Sequence, residues 1–138
     1  MKVMNYTSIE QSKKLVEYGL DRDTADLVYQ FNFLTNTNDE QPNLVYGTLH
    51  DTSLSNIPCW SVGALMKAMC RVKCYYPHLC RHADTGKFIC CCSKYDTPEY
   101  DAPIDACFDM MCWLFEERWM HYAETLKRCA EEYESQQE

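Results

Sequence analysis

Apolar and polar positions follow two periods along this chain, and the switches between them mark its elements. In TSIEQSKKLVEYGL, Ile9, Leu15 and Val16 form a narrow stripe at helical spacing. Either Thr7 with Glu10 or Ser8 with Gln11 supplies a capping box, and Gly19 stands where a left-handed residue ends a helix. After the acidic turn DRDTAD, Leu27, Tyr29, Phe31 and Phe33 alternate with Val28, Gln30 and Asn32, which is the period of a strand. TNTNDEQPN is built of turn formers, and NLVYGTLH reads as a shorter strand interrupted by Gly47. In NIPCWSVGALMKAMC, Ser61 is a good N-cap, and Val62, Leu65, Met66 and Met69 recur at i, i+3, i+4 and i+7. Trp60 and Leu65 occupy the two positions of a hydrophobic staple, while Gly63 weakens this helix by roughly 1 kcal/mol relative to alanine.

RVKCYYPHL reads as a strand ending at Pro77, RHADTG as a turn, and KFICCCSKY as the next strand. On that strand Phe88, Cys90 and Cys92 face one way and Ile89, Cys91 and Ser93 the other. The three adjacent cysteines therefore cannot converge on one metal ion, and at most Cys90 with Cys92, or Cys91 alone, can belong to one site. The segment from Asp101 onward is the longest predicted helix, with Asp101 as cap, Pro103 in the first turn and Asp105 placed to suit the dipole. Ile104, Cys107, Phe108, Met111, Phe115, Arg118, Trp119, Tyr122 and Leu126 trace one face; Met110, Trp113 and Leu114 widen the apolar arc, so its first half should be buried on more than one side. The acidic tail over 131–138 is expected to fray or project. The sum is one α+β domain over residues 1–138: about three helices packed on a three- to four-stranded antiparallel or mixed sheet, ending in a long C-terminal helix.

With 138 residues and 46% apolar content, the chain is long enough to bury roughly 70% of its unfolded surface, so neither metal nor disulfides are needed to stabilise it. It has no run of about 18 apolar residues. The opening MKVMNYTSIEQSKK also lacks the apolar stretch and cleavage site of a secretory signal. A cytoplasmic protein with reduced thiols is expected, despite ten cysteines. Thirteen basic against 21 acidic residues give a net charge of −8, which argues against bulk nucleic acid and anionic membranes as partners. The charge is unevenly spread. Residues 61–95 hold Lys67, Arg71, Lys73, Arg81, Lys87 and Lys94 against Asp84 alone, so the middle of an acidic chain is basic.

Candidate chemistry sits in that middle. Cys70, Cys74, His78, Cys80, His82 and the Cys90–Cys92 run lie within 23 residues, yet no C-x2-C knuckle occurs, and Cys70 and Cys74 on one strand would stand about 13 Å apart. Cys80 with His82 on the turn is the best zinc nucleus; the simpler reading makes the cysteines small apolar residues. A reactive thiol would need a cation, a histidine or a helix N-terminus, conditions that Cys59 or Cys80 can meet. There is no P-loop, G-x-G-x-x-G, G-x-S-x-G or H-E-x-x-H, and no cofactor is expected. Paired carboxylates are not singled out by spacing, and Glu116, Glu117 and Glu124 read as a solvated helix face. Arg71, Lys73, Tyr75, Tyr76, Arg81 and Lys87, with Trp60 and the neighbouring His78, His82 and Phe88, combine cations with flat rings, which suits a nucleotide-like phosphorylated ligand. The alternatives are that these cations neutralise the acidic final helix, or that the face docks a host protein or a second copy of the chain in a homodimer.

IPCWSVGALMKAM (57–69), DAPIDACFDMMCWLFE (101–116) and IEQSKKLVEYGLDRDTADLVY (9–29) resemble a group of small uncharacterised proteins encoded in phages and prophages of gut Bacteroides-type bacteria. The likeness covers roughly half the chain. It departs where Cys70 replaces a proline common after the short helix, and where the last helix continues some twenty residues beyond Trp-Leu. The resemblance implies an accessory phage product acting in the host cytoplasm on host functions or defence, and it carries no catalytic residues. The expected function is thus a non-enzymatic binding protein that sequesters a nucleotide-type anion or docks on a host protein; a zinc-binding or Cys/His-dependent enzyme module is the alternative.

Overall fold

The computed structural model describes residues 5–30, 43–46, 56–70, 77–117 and 131. Among these the order is α1 (Ile9–Tyr18), a 3-10 turn (Arg22–Thr24), β1 (Leu27–Gln30), β2 (Asn43–Tyr46), β3 (Ile57–Cys59), α2 (Val62–Met69), β4 (His78–Arg81), β5 (Phe88–Cys91) and α3 (Pro103–Glu116). The class is α+β. The strands divide between two antiparallel sheets, one of three strands ordered β2-β1-β3 and one formed by the β4-β5 hairpin.

Both capping expectations for the first two helices hold. Ser8 caps α1 and Gln11 closes the capping box, with Gly19 in the left-handed region at φ 98°. Ser61 caps α2 by accepting from the Ala64 N–H at 3.1 Å, and Asp26 in turn accepts from the Ser61 N–H at 2.9 Å and hydroxyl at 2.5 Å. The third helix differs from expectation. Ala102, not Asp101, is its N-cap, and no side chain bonds its first turn; Pro103 there removes one donor that would have needed a cap. Its described length runs to Glu116, and residues 118–130 lie outside the described part.

β3 is not evident from the sequence pattern because Pro58 interrupts it; among the described residues it is an edge strand paired with β1, where Pro58 stands opposite Val28 and is tolerated. The strand expected to end at Pro77 falls on 71–76, outside the described residues, as do Phe31 and Phe33; β4 runs from His78.

The main core gathers Leu15, Trp60, Leu65, Met69, Ile104, Met110, Met111 and Leu114, all essentially without exposure, between α1, α2, α3 and the inner face of β5. As the wide apolar arc foretold, nine of the fourteen α3 residues are buried. No helix among the described residues is long and apolar enough to cross a membrane.

A polar knot lies inside the fold at Thr7, which is fully buried. Its N–H donates to the Trp60 carbonyl at 2.9 Å, and its hydroxyl oxygen accepts from the Trp60 N–H at 3.0 Å and contacts the Ser12 hydroxyl at 2.8 Å. Its carbonyl accepts from the Tyr29 hydroxyl at 2.7 Å and the Cys59 thiol at 3.3 Å. Replacing Thr7 by valine keeps the shape but strands the Trp60 N–H and the Ser12 hydroxyl. Thr7→Val should therefore lower the unfolding free energy by about 2–6 kcal/mol in urea titration, taking roughly 1–3 kcal/mol per unpaired buried group. An unchanged midpoint would refute the role given to this knot.

Candidate functional site

A groove of about 330 Å³ opens between α1, α3 and the 95–100 segment, lined by Gln11, Lys14, Tyr95, Tyr100, Asp105, Phe108, Asp109, Cys112, Trp113 and Glu116. Asp105, Asp109, Cys112 and Glu116 fall at i, i+4, i+7 and i+11 of α3, one flank of a single helix. That volume is at the lower end for small-molecule sites and suits one ring or a short chain.

Each carboxylate is fixed by an uncharged donor. Both oxygens of Asp109 are occupied: one accepts from the Tyr95 hydroxyl at 2.8 Å, the other from the Tyr100 hydroxyl in a very short bond. Asp105 accepts from the Gln11 amide at 2.9 Å. Glu116, expected to be merely solvated, accepts from the Tyr18 hydroxyl at 2.7 Å. The aromatic wall is ordered by stacking of Tyr95 on Trp113 at 5.0 Å between centroids and 6° between planes; outside the lining, Tyr18 stacks on Phe115 at 5.2 Å and 3°. Three carboxylates face one ammonium, that of Lys14, which leans over the Tyr18 ring at 5.8 Å.

The phenols are held protonated. Hydrogen bonding to Glu116, followed by burial, pushes Tyr18 up to about 12. Burial, followed by the bond to Asp109, pushes Tyr95 to about 12; the bond to Asp109 raises Tyr100 further. Burial raises the Cys112 thiol to about 11.

Of the residues proposed for a ligand from the sequence, Arg71, Lys73, Tyr75 and Tyr76 lie outside the described part. Trp60 offers no surface: it has no exposure, and its ring N–H donates to the Thr24 hydroxyl at 2.9 Å. Arg81 and Lys87 are exposed, on the β4-β5 hairpin and away from the groove lining. The Arg81 guanidinium lies 5.9 Å from the Phe88 ring centre and donates to the Gly86 carbonyl at 3.3 Å, while Lys87 stands 4.0 Å from Asp101.

The zinc nucleus changes membership. Cys80 is gathered with His78 and Cys91, not with His82. His82 serves the turn: its Nδ1 accepts from the Asp84 and Thr85 N–H groups at 3.3 and 3.4 Å, and Glu99 is 3.9 Å from its Nε2. Cys59, the other thiol considered as a nucleophile, is buried beside Thr7, and burial raises its pKa, so it is a core group. Cys90 and Cys107 are both buried in the main core, where the Cys107 thiol donates to the Met66 sulfur at 3.7 Å.

Sequence reading did not single out Asp105, Asp109, Tyr95 or Tyr100. The signal that was available is the α3 flank itself, three acids and a cysteine at helical spacing beside two tyrosines just upstream. In comparisons with protein-family models, with curated proteins and with solved structures, nothing matches this chain.

The phenol shifts set a pH dependence. A phenol pKa raised from 10 in the unfolded chain to about 12 in the fold means the folded state holds the proton more tightly. The stabilisation is complete below pH 10 and is lost as pH climbs through 12. Unfolding free energy should thus fall across that interval, and Asp109→Asn should move tyrosinate absorbance towards the ordinary titration. Titration of Tyr95 and Tyr100 near pH 10 in the parent protein would contradict the geometry.

Proposed function

We propose that this chain is a non-enzymatic binding protein whose groove between α1 and α3 holds a small organic cation with a flat or slender body. The supporting observation is the pairing of three carboxylates and one ammonium with a stacked Tyr95–Trp113 wall. An ammonium or amidinium is attracted both by the anionic flank and by the faces of aromatic rings, in partial shelter from water. Binding without reaction is supported by the state of the groups on the wall: the phenols and the Cys112 thiol keep their protons at neutral pH, so they supply no anionic nucleophile. The phage-product resemblance fits a protein that acts by capture, in the host cytoplasm.

The anionic, nucleotide-like ligand expected from the basic middle is the second reading, supported by the exposed Arg81 and Lys87 on the hairpin. The 330 Å³ groove, with its negative charge, does not serve it.

Thermal-shift measurements with benzamidine, its neutral isostere benzamide, and AMP separate these readings. Benzamidine should raise Tm, by an amount equivalent to about 2.7 kcal/mol at a hundred times its Kd, and benzamide and AMP should not. The Asp105→Asn/Glu116→Gln variant, which keeps the shape and removes two charges, should weaken benzamidine about ten-fold or more. A shift by AMP alone overturns the cation reading in favour of the basic hairpin; equal shifts by benzamidine and benzamide, or none by any probe, also overturn it.

A further inference from the structure

The β4-β5 hairpin carries a second constellation, on the face turned away from α3. His78 and Cys80 are two residues apart on β4 and so project to the same side, and Cys91 on β5 is the register partner of His78. One nitrogen and two sulfur donors thereby come within 4.8 Å of one another. The inner face of the same hairpin is spent on the core, where Leu79, Phe88 and Cys90 pack. The outer three remain partly exposed, accessible to an ion from solution.

A carboxylate neighbours one of the three, Cys91. The Cys92 N–H bonds the Tyr95 carbonyl at 2.8 Å, so the chain turns back on itself and Asp96 forms an antiparallel bridge with Cys91. Residues opposite each other in such a bridge share a face, and the Asp96 carboxylate is near enough to the Cys91 thiol to help raise its pKa, after burial and Cys80.

We propose that His78, Cys80 and Cys91 form a zinc site, with Asp96 or a water molecule in the fourth position. Donors set at about 2.3 Å for sulfur and 2.0 Å for nitrogen on a tetrahedral ion are spaced about 3.5–3.8 Å from each other, so closing the present cluster asks for side-chain movements of about 1 Å. Two thiolates and an imidazole select zinc over the hard cations magnesium and calcium, which take oxygen. The site needs no C-x2-C knuckle, because two strands held in register replace the tight turn that normally brings two sulfurs together. On binding, the two thiols give up their protons to solvent and the imidazole binds in its neutral form. The claim does not rest on the groove, whose walls are formed by other residues.

The test is metal uptake by the full chain, stripped with chelator under reducing conditions and then titrated with cobalt(II) and zinc(II). One equivalent of cobalt should bind with the intense visible bands of a tetrahedral site and the ultraviolet band of thiolate-to-metal charge transfer, and zinc should displace it and raise Tm. Cys80→Ser, Cys91→Ser and His78→Gln should each weaken zinc at least a hundred-fold, whereas His82→Ala and Cys70→Ser should bind as the parent. His78→Gln keeps both thiols, so it tests the site even where a cysteine variant folds poorly. Uptake below a tenth of an equivalent, or binding unchanged in Cys80→Ser, Cys91→Ser and His78→Gln, overturns the assignment.

Discussion

Thr7 has no surface and still satisfies every polar atom it brings inside, and in doing so it ties three elements that are distant in sequence. Its N–H and hydroxyl hold the Trp60 backbone at both its carbonyl and its N–H, its carbonyl receives Tyr29 and Cys59, and its hydroxyl meets Ser12 on α1. The start of α1, the middle of β1 and the β3-α2 junction are therefore fixed at one point. Fully satisfied networks of this kind specify a single arrangement, because a shift of any member leaves a buried donor or acceptor unpaired at a cost of about 1–3 kcal/mol. The position of α1 then decides the rest. Gln11, one turn further, uses its amide oxygen to close the capping box on the Ser8 N–H at 2.9 Å and its amide nitrogen to reach Asp105 on α3. A residue read as a cap is also the strut that sets the width of the groove.

The hairpin shows how a two-residue period sorts chemistry. Cys90 and Cys91 are adjacent, yet one packs in the main core with Cys107 of α3, and the other faces outward beside His78 and Cys80. Among the eight described cysteines, five are buried, at positions 59, 90, 92, 107 and 112. These pack as small apolar residues, and burial raises the pKa of the Cys59 and Cys112 thiols. The same residue type thus serves packing on one face and presents donor atoms on the other, with only the pleat to distinguish them.

Local rules were legible in the sequence where short-range chemistry decides the outcome. The Ser8–Gln11 box, the Gly19 terminus, the Ser61 cap, the Trp60–Leu65 staple positions and the split faces of β5 all follow from residues within a few positions of each other. What could not be read is what depends on pairing between distant segments. β3 was hidden by Pro58, whose acceptability comes from lying at a sheet edge. The expected cap at Asp101 yielded to Ala102 and a proline start. His82 was preferred to His78 because it is near Cys80 on a turn, and only the β4-β5 register shows that Cys91 stands opposite His78. The groove was missed for the same reason: the acids of α3 become a site only when Gln11, Tyr18, Tyr95 and Tyr100 arrive from elsewhere.

The sequence also left open whether the basic middle would neutralise the acidic final helix. Among the described residues the contacts between them are slight. Lys87 with Asp101 at 4.0 Å and His82 with Glu99 at 3.9 Å are both exposed and just inside contact distance, a class of pair worth about 0–1 kcal/mol. The carboxylates of α3 are instead held by an amide and three phenols. Those donors position the oxygens without cancelling their charge, as a lysine or arginine would have done. A carboxylate fixed in this way is already ordered and still negative, and among the described residues lining the groove Lys14 is the one cation. The negative potential of the groove therefore follows from the choice of neutral hydrogen-bond donors along its walls, not from the number of acidic residues in the chain.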